Sequence, residues 1–342
     1  MPFRDISGHE RPIAALRSAL LHHRLGHAYL FHGDHAIGKR LTAIRLIQAV
    51  NCERPNETGM PDSCGLCRAC HQIAAQTHPD VLVIEPDREL ATPQIKIEQI
   101  RDIEHQCVYR PLMSERKVCL IDDADRMTIG AANALLKTLE EPPGHALFVL
   151  ITSRVHALPA TIRSRCQPVR FTAPARTQVE AAVILRRNVP PDDARLLALV
   201  TDNRIGEALT LDLAELRARQ QECLELVSPP MLRSASALLA AAESLAKADR
   251  GLDTLIWLSR WIRDLLLVQV GGDREQILHL AQLPQLHTYA QQADTVRLLD
   301  LQKEIERFEQ HATRHLNLHM ALESCLLTLR QALGLASAEA SA

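Results

Sequence analysis

Three groups of residues in this sequence have the types and spacing to do chemistry. The first is Cys52 with Cys64-Gly-Leu-Cys67-Arg-Ala-Cys70. Three thiols at two-residue gaps with a fourth upstream can close a tetrahedral Cys₄ metal site. Asn51, Pro55, Asn56, Gly59, Pro61 and Asp62 make the intervening insert a turn-rich loop with little core of its own. A structural zinc ion is therefore the expected ligand. An iron–sulfur cluster is the competing reading, but the Cys-Pro that closes ferredoxin runs is missing. Four thiolates leave no open coordination position, so this site stabilises rather than catalyses.

The second group is Gly33-Asp34-His35-Ala36-Ile37-Gly38-Lys39, directly after an apolar run and before a helical pattern. That is the G-x-x-x-x-G-K frame of a phosphate-binding loop in its strand–loop–helix context. Glycines let backbone N–H groups converge on phosphate oxygens, the helix N-terminus adds positive charge, and Lys39 would reach the β and γ phosphates. The third group is Val118-Cys119-Leu120-Ile121-Asp122-Asp123, a strand that ends in carboxylates. Asp122 suits a metal-facing ligand, and Asp123 takes the place where such ATPases carry a water-polarising Glu.

Two positions in this frame depart from an ATPase. Arg40 replaces the Ser or Thr whose hydroxyl ligates Mg²⁺, and a guanidinium cannot coordinate a metal. Asp123 is one methylene shorter than Glu, and a displacement of about 1 Å can cost about 10²-fold in rate. The expectation is a P-loop fold with little or no ATP hydrolysis. Retained ATP or ADP binding through Gly33, Gly38 and Lys39 and a loop kept only as architecture both stay open.

The elements that must position these groups follow from patterning. Short apolar runs at Ala28–His32, Val81–Ile84, Val118–Ile121, Leu147–Thr152 and Val169–Phe171 predict strands buried on both faces. Helical patterns over Gly38–Val50, Ile95–His105 and Gly130–Glu141 separate them, the last halted by Pro142-Pro143. Such alternation predicts βαβ units on a parallel sheet. From Arg176 to Leu211 two or three short helices are expected, interrupted at Pro190-Pro191 and Asn203. Beyond Leu213 the chain reads as long Leu/Ala-rich helices with breaks at Pro229-Pro230, Gly271-Gly272 and Pro284. The expected domains are 1–171, with the cysteine insert at about 51–71, then 172–211, then 212–335, with a frayed tail over 336–342.

Composition bounds the function classes. Across 342 residues, 39 basic groups face 41 acidic ones, for a formal charge of −2. That balance argues against a dedicated nucleic-acid coat and against an autonomous DNA-binding module built on the cysteine knuckle, so any DNA contact is local or shared with partner chains. No window approaches the ~18 uninterrupted apolar residues of a membrane span, and Met1-Pro2-Phe3-Arg4-Asp5 is no signal peptide. Nine cysteines, an odd count with several in apolar contexts, do not read as a disulfide framework, so a cytoplasmic protein is expected.

Several passages together carry a family resemblance. They are Phe3-Arg4-Asp5-Ile6-Ser7-Gly8-His9, His27-Ala28-Tyr29-Leu30-Phe31, the Cys₄ insert after the P-loop helix, and Thr77-His78-Pro79-Asp80. The most specific are Asn133-Ala134-Leu135-Leu136-Lys137-Thr138-Leu139-Glu140-Glu141-Pro142-Pro143 and Ser164-Arg165-Cys166. The chain thus resembles the clamp-loader branch of the AAA+ ATPases, closely over residues 1–171 and by helical character to about residue 335. The resemblance implies an α/β RecA-like P-loop (AAA+) domain with a zinc knuckle, a small helical lid and an all-α collar.

It also implies a place in DNA replication. Motor subunits of that branch, gamma and tau, keep a complete ATP site, whereas one static subunit is degenerate. Arg40, Asp123 and the absence of an Arg at Gly206 favour the static subunit; Arg204 lies nearby but out of register. An active gamma/tau-like ATPase is the alternative. By resemblance, Arg165 is an arginine finger acting in trans on a neighbour's ATP site. The implied partners are gamma/tau and the delta subunit in a heteropentameric ring, with the sliding clamp and primer-template DNA reached through that ring. Any enzyme class would be that of the DNA polymerase holoenzyme. Thr152 stands where the family places a phosphate sensor, or is only a strand-end hydroxyl.

Leu135, Leu136 and Leu139 share helical spacing and are expected in the core, with Lys137, Glu140 and Glu141 on a solvated face. Trp257 and Trp261, four apart on one helix face, are expected to be core, with a collar contact as the sharper alternative. His311, His315 and His319 read as a solvated stripe rather than a metal site.

Overall fold

The computed structural model describes residues 2–54, 61–87, 92–311 and 317–335, and the side chains of these apart from 310 and 311. The expected tail over 336–342, the turn-rich residues 55–60, His315 and the side chain of His311 lie outside the described residues. The chain divides into two compact units, Met1–Thr210 and Leu211–Ala342.

In the first unit, strands β1 (Ala28–His32), β2 (Val81–Ile84), β3 (Lys117–Ile121), β4 (Ala146–Thr152) and β5 (Gln167–Arg170) form one parallel sheet in the order β2-β3-β4-β1-β5. The helices of this unit are α1 (Glu10–Leu21), α2 (Lys39–Val50), α3 (Arg68–Ala74), α4 (Ile97–Val108), α5 (Ile129–Glu140), α6 (Ala160–Arg163), α7 (Arg176–Arg187), α8 (Pro191–Val200) and α9 (Ile205–Thr210). Alternation along each central strand builds two apolar layers. Ala28, Leu30, Cys119, Ile121, Phe148 and Leu150 face α4 and α5, while Tyr29, Phe31, Val118, Leu120, Val149 and Ile151 face α1 and α2. The carboxyl ends of β1, β3 and β4 converge on the phosphate loop, as expected where open α/β sheets bind ligands.

Strand β5 departs from expectation. It covers Gln167–Arg170 rather than Val169–Phe171, and Gln167, Pro168 and Arg170 are exposed rather than buried on both faces. Being at the sheet edge, it tolerates Pro168, which has no N–H to give to a ladder. Phe171 instead closes the core just beyond it, its N–H donating to His32 O at 2.8 Å. On α5, Leu135 and Leu139 are fully buried, whereas Leu136 is half-buried against the same layer.

The loop between α4 and β3 is organised by Asp80, which is fully buried. Its carboxylate accepts from the N–H groups of Leu112 (2.7 Å), Met113 (2.8 Å) and Ser114 (3.0 Å). Burial alone would raise its pKa, but these N–H groups hold the carboxyl below its ordinary value. A depressed folded pKa stabilises fully above the ordinary carboxylate range and is lost as pH falls through the folded value. Asp80→Ala is therefore expected to cost on the order of 2–3 kcal/mol at neutral pH in urea unfolding, and to remove part of the acid-induced loss of stability.

The second unit is helical: α10 (Leu213–Leu226), α11 (Pro229–Arg233), α12 (Ala235–Lys247), α13 (Gly251–Gln269), α14 (Leu283–Gln292), α15 (Thr295–His311) and α16 (Leu318–Ala332). The helical run is interrupted at Pro229-Pro230 and before Pro284 as expected, and these prolines open the following helices, where a first-turn N–H has no intrahelical partner to lose. Asp212, Ser234 and Asn317 cap α10, α12 and α16. Trp257 and Trp261 lie in the core, edge-on to His279 (5.0 Å) and Tyr289 (5.7 Å). His319 pairs with Glu323 at 3.2 Å. Among the described residues, no helix is long and apolar enough to cross a membrane.

Candidate functional site

The phosphate loop leaves β1 at Gly33, whose φ of +145° is open to glycine. A Cβ there would land on the Phe171 carbonyl oxygen, so residue type and neighbour enforce each other. Behind the loop, His9 donates from Nε2 to Ile37 O at 2.6 Å and packs edge-on to Phe171 at 5.0 Å. Burial pushes the His9 pKa down, keeping the imidazole neutral. Lys39 turns back into the loop. Its Nζ donates to the carbonyls of Gly33 (2.6 Å) and Asp34 and to Ser153 Oγ (3.2 Å). Burial lowers its pKa, opposed by Asp122, Asp123, Asp34 and Asp125.

A cleft of about 320 Å³ brings Gly38, Lys39, Arg40, Asp122, Asp123, Ser153 and Gly206 together. Arg40 is one of its lining residues. The guanidinium bonds Asp122 Oδ2 at 3.0 Å through Nη1 and Glu85 through Nη2. Asp122 is pushed up by burial and held back by Arg40. Asp123 adopts φ +47° and pairs with Arg126 at 3.7 Å. A fixed organic cation thus balances the carboxylates that a divalent ion would otherwise neutralise.

Helix α9 meets the cleft at Gly206. Gly206 N–H donates to Ala36 O at 2.8 Å, and a Cβ on Gly206 would come within 2.8 Å of that oxygen. A longer side chain at this position cannot enter without shifting the loop. Arg204, the nearest arginine in the segment, is engaged by Thr201 O (3.0 Å) and Glu207 (2.8 Å). Thr152 is fully buried, donating to Asp125 Oδ1 at 2.7 Å and accepting from Arg154 N–H at 3.0 Å. Its hydroxyl is occupied as a strand-end tie, and Ser153, the next residue, is the hydroxyl that meets Lys39.

Arg165 lies outside the cleft, just beyond α6. Its Nη2 bonds Glu140 at 2.6 Å and its Nη1 donates to Thr161 O at 3.0 Å, with 34% of the side chain exposed. Glu140 is exposed at the end of α5, so the two most specific sequence passages meet in this ion pair.

The four cysteines come together as expected. Their Sγ atoms lie within 4.8 Å of one another, with Cys52 at 3.9 Å from Cys67 and 3.8 Å from Cys70. Metal–thiolate bonds of about 2.3 Å in a tetrahedron require edges of about 3.8 Å. Backbone N–H groups of Cys64, Leu66, Cys67 and Cys70 point at these sulfurs at 3.2–3.4 Å. Burial opposes ionisation of Cys64, but the N–H groups of Leu66 and Cys67 and the thiols of Cys52 and Cys67 lower it to about 7. The cluster could hold a metal ion. Gln48 anchors it to α2 by donating to Cys70 O at 2.7 Å. Asp62 ties the insert to Phe3 N (2.9 Å) and Arg17 (2.6 Å).

The residues that pattern reading missed are Glu85, Ser153 and Asp62. Each acts through a partner distant in sequence, which no local spacing announces.

The sheet order, the phosphate loop after β1 and the acidic end of β3 define a RecA-like AAA+ module in which Arg40 pairs with Asp122. The chain matches the family described as "DNA polymerase III, delta subunit" over residues 8–175 and "DNA polymerase III, delta subunit, C terminal" over residues 214–331. It is 33% identical to DNA polymerase III subunit delta' of Pseudomonas aeruginosa over 251 residues, 73% of this chain and 74% of that protein. Identity to subunit delta' of Bacillus subtilis is 32% over 278 residues, 78% of this chain and 80% of that one. DNA polymerase III subunit tau of B. subtilis is 35% identical over 218 residues, or 61% of this chain, which spans 37% of that longer relative. The chain belongs to the DNA polymerase III delta' family.

Proposed function

We propose that this chain is the static delta' subunit of a clamp loader and does its ATP chemistry only in trans. The observation that carries the reading is Arg40 lodged between Asp122 and Glu85, where a catalytic site needs Mg²⁺. Gly33, Gly38, Lys39, Asp122, Asp123 and Thr152 are then the remains of a nucleotide site. Lys39 caps loop carbonyls, and Thr152 ties β4 to Asp125. Arg165 is the functional cation, offered from an exposed ion pair to the ATP of a neighbouring gamma/tau subunit. A guanidinium suits this role because phosphoryl transfer spreads negative charge over several oxygens.

In this reading the chain sits beside gamma/tau and delta subunits in a heteropentameric cytoplasmic ring that opens the sliding clamp onto primed DNA. Residues 1–171 form the AAA+ module, 172–211 the lid and 212–335 the collar that holds the ring. The metal at Cys52, Cys64, Cys67 and Cys70 is zinc, which takes four thiolates in a closed tetrahedron and supplies stabilisation only.

Titration of the isolated chain with Mg-ATP, with turnover followed in parallel, tests the cis half of the proposal. Turnover is expected at background. Arg40→Thr, which restores a hydroxyl and frees Asp122, is expected to raise Mg-nucleotide affinity about tenfold. Turnover above background that disappears in Lys39→Ala would establish an active motor instead.

A further inference from the structure

We propose that Cys107 and Cys119 are a peroxide-oxidisable dithiol, closed to a disulfide after fraying of the last turn of α4. The two Sγ atoms lie 2.9 Å apart, against about 2.05 Å in a bond. Cys107 is in the final turn of α4 and Cys119 is at the centre of β3, both fully buried in the same apolar layer. Among the described residues, the cysteine, histidine and carboxylate group that could hold a metal ion is the Cys₄ cluster, which does not include them.

The chemistry of the pair separates it from the other buried cysteines. The Cys119 S–H holds the Cys107 thiol below its ordinary pKa, and the Lys117 ammonium acts in the same direction. Burial and the Cys107 sulfur push Cys119 up. One thiol is thereby prepared as nucleophile and the other stays protonated as the resolving group. Cys166, Cys223 and Cys325, by contrast, are each pushed up to about 12 by burial.

Access is set by the end of α4. Lys117 Nζ caps Gln106 O at 2.9 Å, and His145 Nε2 contacts the carbonyls of Cys107 and Tyr109 at 3.0 Å each. Immediately beyond, Val108 and Tyr109 are 71% and 60% exposed, so the turn that covers Cys107 lies at the surface. Local opening there admits a small oxidant without global unfolding.

The reaction balances with one hydroperoxide. The Cys107 thiolate attacks a peroxide oxygen and the O–O bond breaks, giving a sulfenic acid and hydroxide, which takes up a proton. The Cys119 sulfur then attacks the Cys107 sulfur. The S–S bond forms, the S–O bond breaks, and the departing oxygen leaves as water with the Cys119 proton. The two thiols lose two electrons and the peroxide is reduced to two waters. The product ties the end of α4 to the central sheet.

Peptide mapping of the folded full-length chain, zinc-loaded and treated with hydrogen peroxide, tests this. After quenching by alkylation under denaturing conditions, tryptic peptides spanning 102–116 and 118–126 are expected as a cross-linked pair two hydrogens lighter. Cys119→Ala should instead leave a Cys107 sulfenic acid that a cyclic dione traps. His145→Ala should speed cross-linking about tenfold by removing the pins on the last turn. Recovery of Cys107 and Cys119 as alkylated thiols while other cysteines oxidise would overturn the proposal. So would a cross-link that forms only in denaturant, or at an unchanged rate in His145→Ala.

Discussion

With zinc in the site as proposed, Cys64→Ser is expected to release the metal and to unfold the knuckle while the sheet persists. Structural zinc contributes about 10–16 kcal/mol of apparent binding free energy in small peptides, comparable to the about 5–15 kcal/mol that stabilises a whole domain. In this chain the insert brings few apolar groups of its own; its buried cluster is Cys67, Ala69 and Cys70, with Cys52 and Cys64 packed on it. Without the metal, four close sulfurs have only N–H groups and one another for partners. Gln48 and Asp62 hold the insert from outside, so the loss should be local. Amide exchange in residues 64–74 should approach that of an unfolded chain, with β1, β3 and β4 still protected. Acid should act in the same direction, because protons compete with metal for thiolates and Cys64 ionises near 7 in the metal-free site. Retention of one equivalent of zinc by Cys64→Ser would remove that thiol from the ligand set.

Arg165→Ala is expected to lower ATP turnover at the adjoining motor site by about 10³–10⁵, the value of such a guanidinium in other phosphoryl-transfer systems. Its effect on this chain's own stability should be small. The Arg165–Glu140 pair is exposed, and exposed pairs contribute about 0–1 kcal/mol. Arg165→Lys should rescue little, since an ammonium lacks the planar fork that bridges two oxygens. Loss of turnover in Arg165→Lys, whose ammonium can keep the ion pair with Glu140, distinguishes a finger from a structural ion pair.

Much of the first unit was legible because buried parallel strands are nearly continuous apolar runs. β1 and β2 coincide with the predicted segments, and β3 and β4 begin one residue earlier. β5 was misplaced because its edge position exempts it from that rule: exposed Gln167, Pro168 and Arg170 give no apolar signal. The breaks expected at Pro229-Pro230 and Pro284 fall where one helix has ended and the next begins, each proline sitting in the first turn of the new helix. At the site, residue types announced Lys39, Asp122 and the four cysteines. They could not announce that Arg40 would find Glu85, that Lys39 would fold back on Gly33 and Asp34, or that Gly206 would rest on Ala36. Those pairings are set by how β2, β4 and α9 arrive at the loop, which is tertiary information. The Arg165–Glu140 pair joins two passages singled out in the sequence separately.

The most direct measurement is ATP turnover by a reconstituted ring carrying this chain as wild type, Lys39→Ala or Arg165→Ala, with assembly verified by sedimentation. The expected result is an intact ring in all three, turnover unchanged by Lys39→Ala and reduced in Arg165→Ala by the share of the site it serves. Reduced turnover with Lys39→Ala, beside unchanged turnover with Arg165→Ala, would contradict chemistry in trans and make this chain a motor.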